Sequence, residues 1–242
     1  MSRRSFGWIA RLALVALVDL SAFAATSPAA ERKVGLQIGV EPAPLASTFT
    51  PAAFAGWPAK DSGDPLAAAP AGVRITFDGA TLAAELLPAE AQLLILPVPS
   101  YKKLLDGEAR DGLKNHLEHL ENLLAGSGRV SGYLEPVPRP AARLRFRARV
   151  EMLDFRGGRA MRFVGGYART AKMPAQLAYT AQGLTKDGLF LVTLFWPVTA
   201  RGFTPAAEPG ESGVALDALP ADAFEPPLAT LDGLVGSLRV AR

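Results

Sequence analysis

Hydrophobic and polar positions change period several times along this chain. Residues 34–40 (Val-Gly-Leu-Gln-Ile-Gly-Val) alternate apolar with small or polar side chains, the twofold period of a strand, and Val73, Ile75 and Phe77 repeat it. Leu93, Leu94, Ile95 and Leu96 form a continuous apolar run closed by Pro97 and Pro99, which predicts a buried strand that stops at the prolines. From Glu108 onward the spacing becomes helical. Leu113, Leu117, Leu120 and Leu124 recur at intervals of 4, 3 and 4, and Gly126 supplies the stop.

Residues 143–198 carry the clearest strand pattern. Leu144, Phe146, Ala148 and Val150 alternate with Arg143, Arg145, Arg147 and Arg149, which predicts a half-buried antiparallel strand with four guanidinium groups on one face. A turn at Arg156-Gly157-Gly158-Arg159 leads back through Met161 to Val164. A strand over 177–184 follows, and Asp187-Gly188 predicts a tight hairpin turn built on positive φ angles. The return strand, 189–196, is apolar on both faces and so requires a covering layer on each side. Leu228, Leu231, Leu234, Val235 and Leu238 then mark a second helix, opened by Pro226 and Pro227. Three Pro/Ala/Gly-rich stretches, 58–71, 135–142 and 204–223, read as surface loops. The expected fold is α+β: an antiparallel meander with helices packed on both faces, in one domain spanning 25–242.

The first thirty residues read as an address rather than as part of that fold. Arg3 and Arg4 precede a short apolar run, Leu12 to Val18, and Ala22-Phe23-Ala24 places small residues where signal peptidase cuts. The run is too short to span a bilayer, and no cysteine follows that could carry a lipid anchor. A signal peptide over 1–24 and a periplasmic or secreted mature chain are expected. Ser2-Arg3-Arg4-Ser5-Phe6 resembles the twin-arginine export signal, while Gly7 and Trp8 depart from its usual ending and leave the general secretion route open.

Composition matters mainly through this segment. The chain has 242 residues, 26 Lys+Arg against 23 Asp+Glu, and a formal charge of +3. Its first 24 residues hold three arginines and one aspartate, so the remaining 218 stand near +1. The dense positive surface of a nucleic-acid-binding protein is therefore not expected. The absence of cysteine excludes disulfides, thiol nucleophiles and cysteine-ligated metal.

Two segments have a more specific character. Met161-Arg162-Phe163-Val164, followed by Ala178-Tyr179-Thr180-Ala181-Gln182-Gly183-Leu184-Thr185-Lys186-Asp187-Gly188, resembles a signature of an uncharacterised family of exported bacterial proteins, roughly RF…YTFQGLTxDG…PV. The sequence departs from it at Ala181, where that family tends to have Phe. The resemblance covers residues 72–200 and implies location and fold, not chemistry. The architecture, with its C-terminal helix after the last strand, is similar to PsbP-like proteins, which implies an α/β/α sandwich serving as a binding or assembly module.

Candidate chemistry is sparse. His116 and His119 stand at i, i+3 on the first helix, a spacing that can place two imidazoles on one metal, although a competent site needs further ligands. No nucleophile elbow, phosphate-binding loop or dinucleotide fingerprint is present. The arginine ladder 143/145/147/149 offers an anion-binding face, or a solvated face offset by neighbouring acids. Arg162, Tyr179 and Gln182 are polar groups in apolar strands, so they form either a structural hydrogen-bond network or a ligand-binding face. No cofactor, nucleic-acid partner or transmembrane span is expected. The reading is an exported, soluble, non-catalytic binding or assembly module of the bacterial envelope, acting on a partner protein or small ligand. The alternative is a periplasmic hydrolase with a site assembled from dispersed residues.

Overall fold

A computed structural model describes residues 15–18, 36–42, 45–46, 49–57, 64–81, 90–126, 135–170, 175–206 and 208–241. The chain runs through strands β1 (Val15–Val18), β2 (Leu36–Gly39), β3 (Phe49–Phe54), β4 (Gly72–Thr81) and β5 (Glu90–Pro97), then helices α1 (Val98–Leu104) and α2 (Gly107–Leu124). The meander β6 (Arg143–Phe155), β7 (Gly158–Ala168), β8 (Gln176–Thr185) and β9 (Phe190–Pro197) follows. Short β10 (Thr199–Ala200), α3 (Pro209–Asp217), β11 (Phe224–Glu225), α4 (Leu228–Ser237) and β12 (Arg239–Ala241) complete it.

Seven strands form one antiparallel sheet in the order β3-β4-β5-β9-β8-β7-β6, with β9 closing the meander onto the earlier hairpin. The fold is α+β, with both faces of the sheet covered. Alternation along β9 shows why: Leu191 and Phe195 join α1 and α2 in one core, whereas Val192, Leu194 and Trp196 join α3 and α4 in the other. The leucine stripe of α2 is buried as its spacing predicts, together with Leu123. Leu228, Leu231, Leu234 and Val235 of α4 are likewise buried. No helix among the described residues is long and apolar enough to cross a membrane.

Two loop expectations change, and the expected stop of β5 at its prolines gains a helix. Residues 204–223 contain α3, whose weak pattern of Gly, Ser and Ala conceals a helix held by its packing on β6. Pro97 and Pro99 end β5 but also start α1, where proline's missing N–H costs nothing. The stretch 135–142 is not a surface loop: Pro136, Val137, Pro138 and Ala142 are buried against the α1/α2 side. Its backbone is accommodated there because the Val137 carbonyl accepts from Gln182 and Thr193.

Of the expected leader, only residues 15–18 are described; the twin-arginine segment and the cleavage site lie outside the described residues. Val15–Val18 forms β1, paired antiparallel to β2, which pairs on its other side with β12. Loss of the leader would thus leave β2 held by β12 alone.

Candidate functional site

The three polar residues singled out within the strands do not converge. Arg162 and Tyr179 point to the α4 side of the sheet and meet Asp232, while Gln182 points to the α2 side and meets His116. Register explains the split, since Arg162 pairs with Ala181, one residue away from Gln182, and successive strand residues face opposite ways.

On the α4 side, Arg162 Nε donates to Asp232 Oδ1 at 3.0 Å and Nη2 to Oδ2 at 3.3 Å, a forked pair. Its remaining guanidinium N–H groups reach Glu151 and the Arg149 carbonyl. Tyr179, fully buried, donates its hydroxyl to the same Asp232 Oδ1 at 2.9 Å. Burial first, and then the adjacent Asp232 carboxylate, push the Tyr179 phenol well above its ordinary range, so it stays a protonated donor. The cluster fastens α4 to β6, β7 and β8.

On the α2 side, Gln182 Nε2 donates to the Val137 carbonyl at 2.8 Å and reaches Thr193 Oγ1 at 3.3 Å; Thr193 donates to the same carbonyl at 2.8 Å. Gln182 Oε1 is thereby left to accept from His116 Nε2–H at 3.0 Å, which fixes the imidazole tautomer. This set holds α2 and the 135–142 stretch on the sheet. His119 is half-buried on the same helix, and no group of three or more His, Asp or Glu able to hold a metal occurs among the described residues.

His116 carries a pH prediction. Burial lowers its pKa below 6.5, outweighing the Gln182 hydrogen bond, and Arg139 and His119 act in the same direction as burial. The folded state therefore keeps His116 neutral, while the unfolded chain protonates it near pH 6.5. Stability present above that pH is lost as pH falls below it, by up to about 1.4 kcal/mol per pH unit. Urea titrations from neutral to mildly acid pH are expected to show this decline, and His116→Gln to flatten it. An identical slope in both proteins would contradict the assignment.

The arginine ladder does not survive on β6. Register shifts between Leu144 and Phe146, and again between Ala148 and Glu151, interrupt the alternation. Leu144 consequently faces the α2 core and Phe146 the α3 core. Arg143 pairs opposite Ala168 and Arg147 opposite Gly165, positions on opposite faces, so the four guanidinium groups share no single face. Arg143 lies 3.9 Å from Asp64. Arg149 adopts a positive φ of 57°, stabilised where its N–H donates to Asp217, its guanidinium to the Leu219 carbonyl, and its charge stacks over Phe224.

What the arrangement creates instead is a cleft. Strand β6 is the sheet edge, and α3 packs along it closely enough that a Cβ on Gly213 would stand 3.1 Å from the Arg147 carbonyl. Between them lies an open cleft of about 490 Å³. It is lined from β6 by Arg145, Phe146 and Arg147 and from α3 by Gly210, Val214 and Asp217. Val214 is 72% exposed, and it and Val150 are the exposed large hydrophobic residues among those described. Sequence reasoning identified Arg145 and Arg147 but missed the cleft, because α3 left no legible stripe.

A second, smaller hollow of about 300 Å³ is lined by Asp64, Glu135, Arg139 and Arg143. Arg139 spans it, 3.0 Å from Asp64 and 2.5 Å from Glu135, so its charges are mutually engaged. No family model, curated protein or solved structure matches the chain.

Proposed function

We propose that the chain is an exported, soluble, non-catalytic binding or assembly module of the bacterial envelope, with the α3/β6 cleft as its ligand surface. One observation carries this reading. The polar groups inside the sheet hold partners within the fold, and at the sheet edge an open cleft in the size range of ligand sites is lined by Phe146, Gly210 and an exposed Val214. The N-terminal pattern of Arg3, Arg4, the apolar run and Ala22-Phe23-Ala24 supports export. A hydrolase assembled from dispersed residues would draw on Arg162, Tyr179, Gln182 or His116, and each of these fastens a helix to the sheet instead.

The full chain, tagged at its C-terminus and produced in a diderm host, is expected in the periplasmic fraction with Ala25 as its first residue. Native mass spectrometry of that material should show a bound species that Gly210→Leu removes, since the added side chain enters open space in the cleft. Retention of the uncleaved chain in the cytoplasm contradicts export. A protein with no bound species, or one whose bound species survives the substitution, contradicts the cleft as ligand surface.

A further inference from the structure

We infer that removal of the leader turns β2 into a docking edge for an extended, apolar segment of another envelope protein, added as an antiparallel strand; this rests on the export reading above. In the full chain that edge is occupied. Val15–Val18, within the expected leader, pairs with β2 from Val15 opposite Gly39 to Val18 opposite Leu36. The expected cleavage site, after Ala24, lies between β1 and β2 in the chain. Cleavage therefore cuts the covalent link between the two strands, and departure of the leader bares every β2 backbone group that β1 had paired. Such groups recruit extended segments by main-chain hydrogen bonding.

The bared edge differs from those of the main sheet. Strand β3 carries Pro51, which has no N–H to offer a further strand. Strand β6 is guarded by α3, where the Asp217 carboxylate accepts the Arg149 N–H. On the far side of β12, Arg239 is bridged to Arg156. Leu36-Gln37-Ile38-Gly39 holds neither proline nor charge, so nothing within it turns an incoming strand away. The occupant follows from the two faces of β2. Ile38 is buried in the core and Gln37 is exposed. Directly opposite residues of an antiparallel pair share a face, so a guest residue opposite Ile38 meets the core and must be apolar. The mature N-terminal stretch, 25–34, is no substitute: Ala-Thr-Ser-Pro-Ala-Ala-Glu-Arg-Lys-Val brings a proline and three charges. The edge is left to a segment from another protein.

The probe is a synthetic peptide of residues 13–20, Ala-Leu-Val-Ala-Leu-Val-Asp-Leu, with a lysine tail for solubility, titrated into the mature protein recovered from the periplasm. Saturable binding is expected, with amide shifts centred on residues 36–39. Two peptides N-methylated at Ala16 or at Leu17 separate strand pairing from non-specific apolar contact. Successive N–H groups of a strand point to opposite sides, so one of the two should bind about tenfold more weakly or worse and the other about as well as the parent. Ala16→Asp in the peptide, opposite Ile38, should also weaken binding by about tenfold. Equal effects of the two N-methyl groups, or no binding, overturn strand addition. A mature protein that is a dimer the peptide cannot dissociate gives the edge to a second copy and overturns the partner. A chain recovered uncleaved, with β1 still on β2, brings down the export reading as well. Cleaved protein that ignores the peptide leaves export standing and sinks this inference alone.

Discussion

Asp232→Ala is expected to lower the unfolding free energy by about 3 kcal/mol, more than an average surface substitution by a wide margin. The carboxylate serves two buried groups at once: the fork of Arg162, whose side chain is 8% exposed, and the hydroxyl of Tyr179. Removing it leaves the guanidinium with Glu151, itself 58% exposed and screened by solvent, and with one backbone carbonyl. It also strips the Tyr179 hydroxyl of its acceptor in the interior. The penalty belongs to an uncompensated charge rather than to a lost contact, and this has a consequence that distinguishes the two. Adding Arg162→Met to Asp232→Ala should recover part of the loss, because the orphaned charge leaves with the side chain. Urea unfolding of the two single variants and the double variant measures it. Additive losses would show that Arg162 does not depend on Asp232.

Gly183→Ala is the second large effect, about 3 kcal/mol, from one added methyl group. Strand β7 crosses here so closely that a Cβ would stand 2.3 Å from the Arg159 carbonyl oxygen and 2.7 Å from Ala160 Cα. Both obstacles are backbone within a paired register, Ala160 opposite Gly183, so neither can turn aside as a side-chain tip would. The two strands must separate locally, which loosens neighbouring pairs, including Met161 with Gln182. Loss of the Gln182–His116 contact should accompany the destabilisation, visible as a His116 pKa lowered still further, because that hydrogen bond is what raises it against burial. A thermally neutral Gly183→Ala would mean that the strands lie farther apart than this register gives.

These two sites account for much of the sequence stretch that stood out first. From Tyr179 to Gly188 nearly every residue has a structural task. Tyr179 anchors α4, Thr180 bonds the buried Tyr167 hydroxyl, and Gln182 anchors α2 and the 135–142 stretch. Gly183 admits β7. Thr185 and Asp187 brace the hairpin by accepting from Phe190 N–H and Leu189 N–H, and Gly188 alone takes the positive φ, 66°, at its end. The loop thus differs from the expected tight turn, in which Asp187 too would have had a positive φ.

The meander and the helices α2 and α4 were legible because burial on one or two faces writes a period of 2 or 3.6 into the chain. Helix α3 was not, since it buries only Ser212, Gly213 and Leu216 and leaves Val214 to solvent. Edge strand β3 was missed for a similar reason: it carries Pro51 and alternates weakly, with most of its side chains partly or fully exposed. The β6 ladder misled in the opposite direction. Its letters keep alternating through Arg145 and Arg149 while the backbone slips by one residue at each irregularity, which moves the side chains to other faces. Partners such as Asp232, 70 residues from Arg162, and His116, 66 from Gln182, become visible only when the sheet brings them together.

The central claim is a division of labour: the polar groups within the sheet hold helices in place, and the cleft between α3 and β6 binds. Amide NMR of the chain purified from the periplasm, recorded before and after its bound species is removed, tests it most directly. The account predicts shifts at Phe146, Arg147, Gly210, Gly213 and Val214, with Tyr179, Gln182 and Asp232 unmoved. Shifts centred on Tyr179, Gln182 and Asp232, with the cleft residues silent, would contradict it.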